Sequence, residues 1–358
     1  MKNMLRGLLI SLAGALVAGC GAMVPFETSV TPIIDDSLRT KDSDATGYAL
    51  NDAGDVAGIY SRRGEKDRIF IFSQGRLSLH ENPCDGFFHI RAFTNTRMIG
   101  GTCNHDRDRL THSLLVVRLE ENGSLVEVAP QWPVAGYTLR AMNDRMDLIG
   151  VNDQAYHRKE KGIAGFAYIS GKLRMVEETE LAHGSHLRAS ALNASGVVVG
   201  GESEPLSVKY GDKEVRPFVF ENGRFSTFPL EKSATVVAMN DKGDVLLQVE
   251  GSTFGLWNER YREIGCGKEW CKVFGINNLG WVIGHGHNTY PVPPMGASIG
   301  HTFLWANEQL FNLDKSVRRG IDAGQPVRLS DGGHILFHSA GWPYLMTPTL
   351  DHEAAKAK

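Results

Sequence analysis

After residue 20 the chain has no apolar run long enough to cross a membrane as a helix, for which about 20 consecutive apolar residues are needed. Strong 3.6-residue periodicity is absent too, so neither a helical bundle nor an alternating α/β fold fits. Positive charge is not in excess: 38 Lys and Arg stand against 41 Asp and Glu, a net charge of −3. A basic stripe for phosphate backbones and a polybasic patch for anionic lipid are thereby excluded, and with them nucleic acid as a partner. No H-E-x-x-H, P-loop or S-x-x-K motif occurs. The sequence implies no cofactor and assigns no catalytic residue. Carboxylates scattered over expected loops (Asp106, Asp108, Glu202, Glu204 and Glu269) keep a glycan hydrolase or lyase as the alternative to a binding protein.

Residues 1–19 read as an address. Lys2 and Arg6 precede GLLISLAGALVAG, an apolar run of signal-peptide length. Removing them takes two positive charges and no negative one, so the mature net charge is −5. The stretch ends in VAGC, Val17 to Cys20, which resembles the lipobox of bacterial lipoproteins, where small residues precede a cysteine that receives lipid. That resemblance implies an exported protein tied to the membrane through the Cys20 lipid alone. Gly21 stands where the inner-membrane sorting pattern has Asp, which favours the outer membrane and leaves open the side it faces.

Four further cysteines, Cys84, Cys103, Cys266 and Cys271, are an even number in a compartment where disulfides persist. Because each flanks a short segment, Cys84 is expected to pair with Cys103 and Cys266 with Cys271. A zinc site is the alternative, but the spacings match no paired C-x-x-C pattern.

Glycine is plentiful, 40 residues, and punctuates runs such as RIFIFSQGRLSL and RPFVFENGRFSTF that read as strand pairs joined by tight turns. One phrase returns: ALNDAGDVAG from Ala49, AMNDRMDLIG from Ala141, ALNASGVVVG from Ala191, AMNDKGDVLL from Ala238 and GINNLGWVIG from Gly275. Degenerate copies lie near Asn95 and at Ser330, and successive spacings run from 37 to 53 residues. That period predicts one supersecondary unit per copy, as in a propeller or solenoid. Each unit reads as four strands: an inner hairpin closed by the Asn-Asp-x-Gly turn, then an outer hairpin. The expected fold is an all-β propeller of four-stranded blades over residues 26–348, preceded by a linker at 20–25 and followed by a polar tail at 349–358. Seven inner hairpins and seven third strands are found but only six fourth strands, so residues 26–35 are expected to complete the last blade. Six or eight blades remain open, since the degenerate copies carry the count.

The phrase, followed by H-T-F-L-W-A-N or F-V-F-E-N-G, resembles the HAF repeat of extracellular bacterial proteins over about residues 30–346. Met146 in place of the turn Gly and Ser330 in place of the Asn depart from it. The resemblance implies a secreted, propeller-like protein and carries over no catalytic residues.

Asn-Asp-x-Gly-Asp is oxygen-rich enough to suggest calcium. The second Asp, present at Asp55, Asp147 and Asp244, becomes Val197, Trp281 and His334 elsewhere, which suits a turn and not a ligand set. Function is expected on the opposite face, where the second-to-third connections are long. Aromatic residues Trp132, Tyr156, Trp270, Tyr290 and Trp342 are the candidate contacts there, for an envelope protein or a glycan. His285, His287 and His301 are the weak candidates for a metal, set against the plainer reading of incidental loop histidines.

Overall fold

A computed structural model of the chain describes residues 27–104, 112–128, 136–152, 163–177, 186–203, 216–228, 230, 234–249, 253–266, 270–289, 298–316 and 324–349. Within them lie 28 strands in seven four-stranded antiparallel sheets. Blade 7 uses β1 (Glu27–Pro32) as its outermost strand. Blade 1 is β2 (Ser43–Leu50), β3 (Val56–Arg62), β4 (Arg68–Ser73) and β5 (Arg76–Glu81), and blade 2 is β6 (Phe87–Phe93), β7 (Met98–Asn104), β8 (His112–Leu119) and β9 (Leu125–Glu127). Blade 3 follows as β10 (Thr138–Met142), β11 (Leu148–Val151), β12 (Ile163–Ile169) and β13 (Lys172–Glu177). Blade 4 is β14 (His186–Leu192), β15 (Val198–Ser203), β16 (Arg216–Glu221) and β17 (Arg224–Thr227). Blade 5 is β18 (Ala234–Met239), β19 (Val245–Val249), β20 (Thr253–Asn258) and β21 (Arg260–Gly265). Blade 6 is β22 (Trp270–Ile276), β23 (Val282–Thr289), β24 (Ser298–Ala306) and β25 (Gln309–Asn312). The last blade adds β26 (Pro326–Leu329), β27 (Ile335–Ser339) and β28 (Trp342–Thr349), in the order β1-β28-β27-β26.

The expected seven-bladed propeller, closed by its N-terminal strand, is therefore what forms. β1 pairs with β28 from Glu27↔Thr349 to Pro32↔Tyr344, so the blade that ends the ring is sealed by the strand that begins it. No single core exists. Seven apolar clusters each fill one junction between adjacent blades, the seventh joining blade 7 to blade 1 through Leu336, Leu345, Val56 and Phe70. Cross-strand Gly–Phe pairs make the blades thin enough to pack. A Cβ on Gly58 would lie 2.4 Å from the Phe70 ring, and Gly150 and Gly284 relate to Phe166 and Phe303 in the same way.

Local chemistry explains the repeated turn. Counting the turn Asn as position 0, the seven copies place Asn51, Thr94, Asn143, Asn193, Asn240, Asn277 and Ser330 there, all buried. In every copy the side-chain oxygen at position 0 accepts the N–H of position +4 at 2.9–3.1 Å. The N–H of position +3 returns to the carbonyl of position 0, and position +3 takes a φ of 62–85°. This is a type I turn with a glycine-type bulge. Glycine supplies it in five copies; Arg97 and Met146 do so at the cost of a left-handed backbone. The second copy is thus centred one residue earlier than its Asn95 suggests: Thr94 replaces the Asn, and its hydroxyl takes over the same bond.

The disulfides pair as expected, Cys84 with Cys103 and Cys266 with Cys271, at Cα separations of 5.6 and 6.3 Å.

Candidate functional site

The two faces of the disc are built differently. On the turn face, the residues at position +1 do not bond their own turn, as Asn-Asp turns commonly do, but the next blade. Their N–H groups donate to side-chain oxygens of the following +1 residue: Asp52 to Asn95, Asn95 to Asp144, Ala194 to Asp241, Asp241 to Asn278, Asn278 to Asp331, and Asp331 back to Asp52. These six bonds measure 2.5–2.9 Å; only the junction from Asp144 to Ala194 lacks an acceptor, because alanine has none. A second ring lies inside the turns, where the Asn51, Asn143, Asn240 and Asn277 amides donate to the position-0 carbonyl of the next blade.

In the outer ring carboxylates alternate with uncharged residues, the carboxamides Asn95 and Asn278 and, between Asp144 and Asp241, Ala194. Asn95 Nδ2 bonds Asp52 and Asp144, and Asn278 Nδ2 bonds Asp241 and Asp331. An odd number of blades cannot alternate all the way round, so Asp331 and Asp52 meet at the closing seam. Burial, followed by the charges of Asp52 and Asp241, pushes the Asp331 carboxyl up to about 6. The turn face is a lock between blades, made of the residues whose oxygen content suggested calcium.

The long-loop face carries the candidate contacts. Trp270 opens the innermost strand of blade 6 at that face and is 50% exposed. Trp342 opens β28 at the same face, where its partly exposed ring lies under the Arg39 guanidinium at 5.4 Å and packs against the blade 6–7 and 7–1 clusters. Trp132, Tyr156, Tyr290 and Cys20 lie outside the described residues, as does the side chain of His287. His301 pairs with Gly286 and His285 with Thr302, so His285 and His301 sit on opposite faces of their sheet. The expectation that His301 returns beside His285 fails on this register. Among the described residues no group of three or more His, Cys, Asp or Glu side chains is placed to hold a metal.

Several polar residues of the second strands join blades. His338 Nε2 accepts the Gly47 N–H at 3.0 Å, Thr102 Oγ1 accepts that of Leu139 at 2.9 Å, and Gln248 Oε1 accepts that of Val273 at 2.9 Å. All three donors stand at position −4. His285 occupies the matching place in blade 6, where position −4 of the next blade is Pro326, which has no N–H. Burial holds the His338 imidazole below its ordinary pKa, consistent with a neutral acceptor.

A signal of another kind is the run Gly296-Ala-Ser298-Ile-Gly300, which has the spacing of a nucleophile elbow. An elbow needs a strand-turn-helix. Ser298 and Ile299 instead continue a third strand, paired with Thr289 and Asn288, so the spacing is coincidental.

The axis itself was not legible in the sequence. Every innermost strand bulges between positions −4 and −2. Position −4 is buried in all seven blades, whereas position −3 (Tyr48, Arg91, Arg140, Ser190, Val237, Phe274 and Val327) is partly exposed in all seven. Tyr48, Val237, Phe274 and Val327 at that position pack against the apolar clusters between their blade and the next.

No family model and no curated protein matches the chain. Solved propellers do. Virginiamycin B lyase from Staphylococcus aureus aligns at 13% identity and a TM-score of 0.53, over 91% of this chain and 100% of that one. The β-propeller domain of the Trilobed protease from Pyrococcus furiosus aligns at 11% identity and a TM-score of 0.58, over 89% and 99%. That domain has an open velcro topology, whereas the present ring is closed by β1. A prolyl endopeptidase aligns at 11% identity and a TM-score of 0.55, over 87% of this chain and 51% of that one. At these identities the likeness shows the fold alone.

Proposed function

We propose that the protein is a lipid-anchored binding or scaffolding module of the bacterial cell envelope, engaging a protein or glycan through its long-loop face. The observation that carries this reading is the asymmetry of the disc. One face is committed to closing the ring, its polar groups spent on bonds between blades. The other presents the exposed Trp270 and receives the longer connections, on a scaffold tied by two disulfides. A rigid frame with variable loops on one side suits recognition. The anchor is supported by the lipobox-like VAGC, and Gly21 favours the outer membrane.

Photocrosslinking in the native cell tests the reading, with reactive residues at Trp270 on the long-loop face and Lys242 on the turn face. A discrete adduct from Trp270 alone is expected; adducts from Lys242 alone would overturn the choice of face. Cys20→Ser should abolish lipid labelling and release the protein from the membrane fraction. Retention of label in that variant would refute the anchor.

A further inference from the structure

Two large apolar side chains stand exposed beside one groove of the turn face. The groove lies between blades 5 and 6, from the turn at Leu279 and Gly280 outward to the hairpins at Asn258 and Glu308, and holds about 450 Å³. Leu256, Ile276 and Trp305 supply its apolar lining. Leu279, which also lines it, is 55% exposed. It occupies turn position +2, where the other six blades carry Ala53, Thr96, Arg145, Ser195, Lys242 and Gly332, all small or polar. Leu310 pairs with Trp305, so the two project from the same side of the sheet, and it is 42% exposed.

The junction between blades 3 and 4 shows how the same space is closed by packing. Arg174 there lies over Phe220 at 4.9 Å and Phe225 at 6.0 Å. Arg262 lies over Trp305 in the same manner at 5.3 Å, but the cross-strand partner of Trp305 is Leu310, where Phe220 has Phe225. With leucine in place of the second ring, the space between blades 5 and 6 stays open.

Polar groups decide what fits it. The Asp244 carboxylate accepts the Asn240 and Asn258 amides, and Glu308 accepts Arg262 Nη1 at 2.7 Å. Arg260 lines the groove, is exposed, and makes no ion pair among the described residues. It is thus the charged group of the groove with no partner of its own, and it stands beside apolar surface. A sugar would need an open aromatic face, but Arg262 covers that of Trp305. An apolar side chain next to a carboxylate matches both the leucines and the guanidinium fork.

We infer that the groove between blades 5 and 6 binds an extended segment of a partner protein, seating a bulky apolar side chain against Leu279 and Trp305 and a neighbouring carboxylate on Arg260. This is a second site, on the face opposite the long loops, and it does not rest on the long-loop reading.

The probe is a random-peptide phage library panned on the purified full-length protein, followed by fluorescence anisotropy with the enriched peptide made synthetically. Enrichment of sequences that place Leu, Ile or Phe beside Asp or Glu is expected. Arg260→Ala and Leu279→Ser change exposed side chains and should melt as wild type does, while each weakens the peptide at least about tenfold, equivalent to about 1.4 kcal/mol. Replacing the acidic residue of the peptide by its amide should weaken binding to wild type by a similar factor and leave binding to Arg260→Ala unchanged, since the two changes remove one contact. Leu173→Ser, an equally exposed leucine on blade 3, should bind as wild type does. No enriched peptide, or peptides that bind Arg260→Ala and Leu279→Ser as tightly as wild type, would overturn the inference.

Discussion

The seam between Asp331 and Asp52 makes a testable demand on stability. A carboxyl pushed up to about 6 from 3.8 binds its proton more tightly in the folded chain than in the unfolded one. Below the unfolded value both states are protonated and nothing is lost. As pH rises between about 4 and 6 the unfolded chain ionises first, so stability falls with pH and levels off above the folded pKa. For a group out of water the full difference, at about 1.4 kcal/mol per pH unit, is about 3 kcal/mol. Asp331 is partly exposed, and solvent screening reduces this to about 1–2 kcal/mol. Asp331→Asn removes the titration. It keeps an acceptor for the Asn278 N–H and gives up the bond from Asn278 Nδ2, while the backbone N–H of residue 331 still donates to Asp52. Lowered His334 and His338 pKa values act in the opposite sense, adding stability as pH rises towards 6.5, so the comparison rests on the difference between the two proteins. Urea midpoints measured from pH 4 to 7.5 should show the variant gaining about 1–2 kcal/mol on wild type across the window from 4 to 6. Parallel pH curves for the two proteins would refute the odd-ring argument.

Four other outcomes follow from the same geometry. Arg97→Gly, at a turn position that is Gly in five blades, should raise stability by about 1 kcal/mol in urea denaturation; a loss would show that the left-handed backbone is unstrained there. Gln248→Leu strips the Val273 N–H and Cys271 carbonyl of their partner between blades and should cost about 2–3 kcal/mol, while a change under about 0.5 would mean that water replaces it. Replacing Cys84 and Cys103 by Ala opens a link across 19 residues and should cost about 3 kcal/mol, against about 2 for the pair separated by 5, read from the two midpoints. Deleting residues 27–32 uncovers the β28 edge and should produce oligomers on size-exclusion chromatography; a monomer of unchanged stability would contradict closure by β1.

Sequence reasoning reached the blade number, the strand order, the closure by residues 26–35 and both disulfide pairs. Each of these is written in period, alternation or short separation. It stopped short where a residue's surroundings depend on a neighbour distant in sequence. That Arg39, from the other end of the chain, lies over the Trp342 ring is visible only in the fold. The histidines of blade 6 looked like one cluster until strand register separated His301 from His285. Asn95 passed for the turn residue because its chemistry fits, although Thr94 holds the turn and Asn95 reaches the next blade.

By itself, then, the sequence determined what each blade is: which residues reverse the chain, which alternate into the packed faces, and how many times the unit recurs. Those properties are local, since a turn or a strand is decided by residues a few positions apart. Only the closed ring decided what the position +1 and position −3 residues do. Asp331 meets Asp52 across 279 residues, because curvature summed over seven blades brings the two ends of the chain together.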